Sequence, residues 1–225
     1  MTRRVIVQNT LWIAVIAAIL FVPAGTLAWP GAWAFLAIMA VGGLTISFWL
    51  ARHDPALLAE RMAPPIQRGQ KLWDKIFMSV ILVLFCAWLV LMALDAGRFH
   101  WSTVAPLAQA LGALVIVACL WIAVLAFRAN TFAAAVVKIQ KDRAQSVVTT
   151  GPYAYVRHPM YAGALLFFVG VPLLLGSWYG LAFALLLVVA LAIRAVKEEL
   201  MLAAELAGYA DYATRVRYRL IPGVW

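Results

Sequence analysis

The sequence predicts an all-α, polytopic integral membrane protein with about six transmembrane helices. Hydrophobic residues make up 66% of the chain and charged residues only 12%, a balance far from that of soluble domains. The charged residues are also confined, since none falls within 5–51, 76–94, 99–127 or 158–193. A helix needs roughly 20 residues to cross a bilayer core of about 30 Å, so these four stretches hold about six spans.

Proline and glycine divide the apolar stretches into individual helices. The first stretch is broken near Trp29-Pro30-Gly31 and predicts helices over 8–28 and 32–51, followed by single helices over 76–94 and 106–127. The last stretch is interrupted at 176–180 and predicts a tight hairpin of two shorter helices. We therefore divide the chain into an N-terminal membrane scaffold of four spans, 1–127, and a functional region with the hairpin and a polar tail, 128–225.

The distribution of positive charge predicts the orientation. With six spans, all but Arg98 of the 18 Lys and Arg residues fall on one side of the membrane. Because cytoplasmic loops carry the excess of Lys and Arg, both termini are predicted to be cytoplasmic, in the inner membrane if the protein is bacterial. The surplus charge of +9 then faces anionic lipid headgroups. The sequence has no basic stripe with stacking aromatic residues of the kind that binds nucleic acid. Cys86 and Cys119 show neither a disulfide pattern nor metal-ligand spacing.

The segment before the hairpin carries more polar chemistry than a membrane anchor needs. Arg157-His158-Pro159-Met160-Tyr161 opens the hairpin, and Pro159 suits the first turn of a helix. Backbone N–H groups at a helix start favour an anionic group such as a carboxylate. Tyr153, in a glycine–proline turn just upstream, could approach the same ligand. The alternative is a helix start decorated with residues that anchor it at the interface.

A second cluster lies where the hairpin ends. Arg194 and Glu198 are four residues apart and share a helix face, and Glu199 adds a second acid at an otherwise basic interface. An exposed ion pair is the simpler interpretation. Facing inward, a carboxylate could bind an ammonium group or ribose hydroxyls, and ionisable residues at membrane depth are functional candidates. The tyrosines and arginines of the tail, from Tyr209 to Arg219, fit an interfacial belt or a site equally well.

These motifs together resemble a known family. GPYAYVRHPMYAG, then EELML, then GYADYATRVRYRLIPG are similar to the isoprenylcysteine carboxyl methyltransferases, bacterial type, and their phospholipid N-methyltransferase relatives. The resemblance covers roughly 127–223 and implies S-adenosylmethionine as the cofactor, bound in a pocket at the cytoplasmic face. It implies Glu198 and Glu199 as the acidic pair of that pocket. The other cofactor-binding residues it implies are Tyr153, His158, Pro159, Tyr161 and Gly163.

Methyl transfer agrees with this residue chemistry. The predicted function is methylation of a lipophilic small-molecule or lipidated acceptor. The first candidate for the methylated group is an isoprenylcysteine-like carboxylate. Methylation of a carboxylate needs no general base, but the carboxylate must be held by paired hydrogen-bond donors such as those of a guanidinium. Arg194 is the first candidate for this role and Arg157 the second. Amine N-methylation, with His158 or a glutamate as base, and thiol S-methylation stay open. The competing classes are a transporter or channel and a non-catalytic scaffold that binds anionic lipid. Membrane lipids are the expected partners, with no obligate protein partner.

Overall fold

The computed structural model describes residues 2–67 and 69–225, and within them the regular structure is helical, without a strand. A π-helical segment, Ala93–Phe99, continues α4, and the connection from α5 to α6 carries two 3-10 turns, Lys141–Arg143 and Gly151–Ala154. The α-helices are α1 (Thr2–Ala24), α2 (Pro30–His53), α3 (Pro55–Arg61), α4 (Leu72–Met92), α5 (Pro106–Ala129), α6 (Pro159–Leu175), α7 (Trp178–Glu205) and α8 (Tyr209–Arg215).

The membrane-spanning capacity agrees with the prediction of about six helices. Five helices are long and apolar enough to cross a bilayer: α1, α2, α4 with its π-helical continuation, α5 and α7. The sixth, α6, is apolar but has only 17 residues. It is the short first arm of the predicted hairpin. The prediction of a second short arm is wrong, because α7 has 28 residues and continues as a helix past the charged residues that follow the apolar stretch.

Local backbone chemistry sets the helix ends. Proline occupies the first turn of α2, α5 and α6, where its missing N–H leaves no bond unmade. The first helix ends at Ala24, four residues before the predicted end, because Gly25 turns the chain with a φ of +69°. The hairpin turns at the predicted place, where Gly176 has a φ of +86° and the Ser177 hydroxyl accepts from Gly180 N.

The hairpin is held to α5 by close backbone contact. A Cβ atom on Gly112 of α5 would lie 2.6 Å from Leu174 N and 2.7 Å from Gly170 O of α6. Small residues allow this approach, which is a common way for helices to pack in membranes. On the other side, Trp88 of α4 is fully buried and donates from Nε1 to Gly180 O of α7 at 2.7 Å. The hairpin is thus fixed between α5 and α4.

The bundle has two unlike ends. The polar end consists of α3, the connection 130–158, the last turns of α7, α8 and the tail, and the opposite end holds the π-helical segment and the α6–α7 turn. Arg98 lies at the opposite end and donates to Pro23 O. This separation of charge fits the predicted topology; which end faces the cytoplasm stays a prediction.

Candidate functional site

The polar end contains a cavity of about 370 Å³ between α3, the connection 130–158, the start of α6, the end of α7 and α8. Small-molecule and cofactor sites typically enclose roughly 300–1,000 Å³. Ionisable and phenolic side chains make up much of its polar wall: Arg61, Lys138, Tyr153, Arg157, His158, Tyr161, Arg194, Glu198, Tyr209 and Tyr212. The two clusters that the sequence singled out therefore lie in one wall.

The start of α6 brings three predicted residues to the cavity. His158 is the N-cap residue and Pro159 the first residue of the helix. The rings of His158 and Tyr161 are stacked with centroids 5.2 Å apart. The Tyr161 hydroxyl donates to Glu198 Oε2 of α7, so α6 and α7 meet through a polar contact at the cavity.

The second cluster faces inward rather than outward. Arg194 and Glu198 both line the cavity from one face of α7, as their spacing predicts. Arg194 is only 9% exposed and its Nε lies 3.0 Å from Asp74 Oδ1. Its Nη2 donates to Ala135 O at 2.8 Å. The simpler interpretation, an exposed ion pair, does not describe this arginine.

Asp74 is a site residue that the sequence analysis missed. It is fully buried in the first turn of α4 and also accepts from Gln70 Nε2 and Val137 N, each at 2.8 Å. Together with the Arg194 bond, these contacts tie the start of α4 to α7 and to the connection 130–158. The available signal was a single acid at the very start of a long apolar helix.

Glu199 lies behind the cavity wall. Its carboxylate accepts from Arg157 Nε at 2.7 Å and Arg219 Nε at 2.9 Å, and His158 Nε2 lies 3.1 Å from Oε1. Arg157 also donates to the carbonyl groups of Ala213 and Val216. This cluster joins the start of α6, the end of α7 and the C-terminal tail.

Gly163 also stands outside the cavity wall, against α5. A Cβ there would meet Ile122 Cγ2 at 3.4 Å and Cys119 O at 3.6 Å, which are ordinary packing distances. The structure thus brings seven of the predicted residues to the cavity and places Gly163 and Glu199 in the layer that supports it.

The tyrosines close the cavity from α8 and the connection. Burial raises the pKa of Tyr153 to about 12 and that of Tyr212 to about 12, so both phenols stay protonated at neutral pH. Tyr212 donates to Tyr153 O at 2.7 Å. Within the described part of the chain, the Tyr209 hydroxyl is buried without a hydrogen-bond partner. A buried polar atom in a cavity wall that lacks a partner is available to a ligand.

Comparison with protein families identifies the region around this cavity. Residues 107–206 match the model of the family described as phospholipid methyltransferase. The matched stretch, which is less than half of the chain, is similar to the methyltransferases of that family. The match fits the group of isoprenylcysteine carboxyl and phospholipid methyltransferases that the motifs resemble, and the resemblance is confirmed at that level. A comparison with curated proteins finds no matching sequence.

The match covers α5 apart from its first residue, the connection, α6 and the whole of α7. Together with the long apolar helices, it indicates an integral membrane methyltransferase. The match begins within α5, on the scaffold side of the predicted division at 127/128, and that division stays a prediction. Arg61, Asp74, Tyr209 and Tyr212 lie outside the matched residues, although they contribute to the cavity or hold it.

Proposed function

We propose that the protein transfers a methyl group from S-adenosylmethionine to a lipophilic acceptor at the cytoplasmic face of the membrane. The observation that carries the proposal is the cavity itself, whose wall places Glu198, Tyr161 and Arg194 inside a methyltransferase family domain. Neither a channel nor a lipid-binding scaffold accounts for such a cavity, because channel polarity extends along the spans and a scaffold needs only surface charge.

The chemistry of the wall fits the cofactor. The Glu198 carboxylate suits its ammonium group or ribose hydroxyls, and the buried Tyr209 hydroxyl lacks a partner among the described residues. His158 is also part of the wall, but the expected anion site at this helix start is occupied, because the N–H groups of Arg157, His158 and Tyr161 already donate to carbonyl groups within the chain. The apolar part of the wall suits the adenine ring and consists of Val147, Val148, Leu202 and Leu206. When bound, the cofactor supplies a methyl group already activated by the sulfonium.

The chain therefore does not need to provide a nucleophile. It needs to position the methyl donor and the acceptor, to bind their charged groups and to exclude water. Tyr161 holds the Glu198 carboxylate through its hydroxyl, and Asp74 holds the Arg194 guanidinium. These bonds fix the polar groups before a ligand arrives, which lowers the cost of organising the site.

A carboxylate is our first candidate for the acceptor, as in an isoprenylcysteine, because no general base is then required. Phospholipid amine N-methylation is the second candidate, since the matching family is described as phospholipid methyltransferase. An amine must lose a proton during transfer, and Glu198 or His158 in the wall would accept it. Thiol S-methylation would require formation of a thiolate.

Calorimetric titration of the detergent-solubilised protein with S-adenosylhomocysteine tests the proposal. We expect saturable binding by the wild type and a loss of about tenfold or more in Glu198→Gln, because a charged hydrogen-bond partner is removed. The neighbouring variant Glu199→Gln is the matched control. It should lower the melting temperature, since Arg157 and Arg219 lose their shared carboxylate, and weaken binding less. A folded wild-type protein that binds no S-adenosylhomocysteine would refute the proposal.

A further inference from the structure

Arg61, at the end of α3, differs from the other two arginines in the cavity wall. Its Nη1 donates to Ala133 O at 2.9 Å, and its guanidinium lies over the Phe127 ring, 4.3 Å from the centroid. Both contacts are with uncharged groups. Within residues 2–67 and 69–225, no carboxylate lies within ion-pair distance of it.

Both arginines that the sequence put forward already have a carboxylate partner. Arg194 is paired with Asp74, and Arg157 with Glu199. The acids close to Arg61 in sequence are also engaged, since Glu60 pairs with Lys138 at 2.7 Å. A guanidinium in a cavity wall without a counter-charge is costly to bury, and an oxyanion from outside the chain would compensate it. Burial lowers the pKa of Arg61 to about 10, so the group remains charged at neutral pH.

Arg61 also belongs to a second, smaller cavity. This space of about 180 Å³ lies between α1, α2 and α3, and its polar wall includes Gln8, Asn9 and Ser47. Trp12, which is 53% exposed on the outside of α1, is part of the same wall. The small cavity therefore reaches the lipid-facing surface of the bundle, and Arg61 stands between it and the larger cavity.

We infer that Arg61 binds the oxyanion of the acceptor, a carboxylate or a phosphate carried on a lipophilic body. The inference rests on the proposed function for the meaning of "acceptor", but the anion site itself is defined by Arg61 alone. In this arrangement Glu198 and its neighbours hold the methyl donor, and Arg61 holds the acceptor's charge at the side that opens to the bilayer.

Paired anionic and neutral probes test this inference. The carboxylate pair is N-acetyl-S-farnesylcysteine and its primary carboxamide, and the phosphate pair is dihexanoyl phosphatidic acid and dihexanoylglycerol. Each is titrated against the detergent-solubilised protein, with and without S-adenosylhomocysteine. We expect the wild type to bind one anionic probe about tenfold or more tightly than its neutral analogue. Arg61→Gln should lose that preference, and Arg61→Lys should keep part of it because the charge remains.

Arg98 provides a matched control at the opposite end. It too donates to a carbonyl, Pro23 O, and its guanidinium lies 5.7 Å from the centroid of the Phe99 ring. Arg98→Gln should keep the anion preference. The probe pair in which the wild type prefers the anionic member shows whether the oxyanion is a carboxylate or a phosphate.

The inference is overturned if the wild type prefers neither anion, or if the preference survives in Arg61→Gln. Affinity for S-adenosylhomocysteine and the melting temperature without ligand show whether Arg61→Gln is folded. Failure of the wild type to bind S-adenosylhomocysteine would count against the proposed function, whereas the probe titrations without it still decide the role of Arg61.

Discussion

The start of α4 and the π-helical segment that continues it each carry a fully buried aspartate, and the two are held in different ways. Asp74, at the polar end, is paired with Arg194 of α7 and accepts from Gln70 and Val137 N. Asp95, at the opposite end, accepts from the hydroxyls of Ser102 and Ser177, and its second oxygen has no partner among the described residues. Both aspartates fasten α4 to the hairpin region, but only Asp74 also fixes a charged group of the cavity.

This difference shows that the same residue type can connect helices at one end of the bundle and position a cavity residue at the other. The Asp95 carboxylate accepts from two neutral hydroxyls and joins the π-helical segment to the loop that follows it and to the hairpin turn. A carboxylate paired with an arginine in a cavity wall fixes that arginine's position and cancels its charge. Removing the two aspartates one at a time should therefore give unlike results.

The largest effect is expected for Asp74→Asn. The Arg194 guanidinium would remain buried without its counter-charge, and losing one partner of a buried pair costs about 3–5 kcal/mol. Unfolding of the purified protein in mixed micelles with a denaturing detergent measures the change in stability. The double variant Asp74→Leu with Arg194→Met should recover most of it, because no charge is left buried. A single variant as stable as the wild type would show that the pair does not support the polar end.

Two glycines on the α5–α6 contact extend the comparison to helix packing. Gly112 lies toward the opposite end, where an added Cβ would meet backbone atoms of α6 at 2.6 Å and 2.7 Å. We expect Gly112→Ala to destabilise the protein by about 1–3 kcal/mol, since backbone atoms cannot move aside easily. Gly163→Ala, near the cavity, meets its neighbours at 3.4 Å or more and should cost less. Equal losses in the same unfolding measurement would contradict this ranking.

The smallest effect is expected for Asp95→Asn. The amide oxygen can accept from both serine hydroxyls, so we expect a loss of about 1 kcal/mol. Because this end lies away from the cavity, the affinity for S-adenosylhomocysteine should equal that of the wild type. A fall in affinity without a matching fall in stability would show that the two ends are coupled through α4.

The sequence predicted the parts of the site that lie close together along the chain. Pro159 and the residues beside it mark the start of α6, and the spacing of Arg194 and Glu198 places both on one face of α7. That these two clusters share a ligand was implied by the family resemblance, and it stays a prediction. Glu199, in contrast, turned toward Arg157 and the tail, and spacing alone cannot say which of two adjacent acids faces the cavity.

By itself, the sequence determined the membrane class, the presence of about six apolar helices and most of their breaks, because apolar length, proline and glycine act locally. Only the tertiary structure decided the charge balance of the site. Asp74 reaches Arg194 across 120 residues of sequence, and Ala133 receives its bond from Arg61 across 72. Whether an arginine is paired or left for a ligand depends on which carboxylate from a remote part of the chain packs beside it. The periodicity of a single helix cannot predict that neighbour.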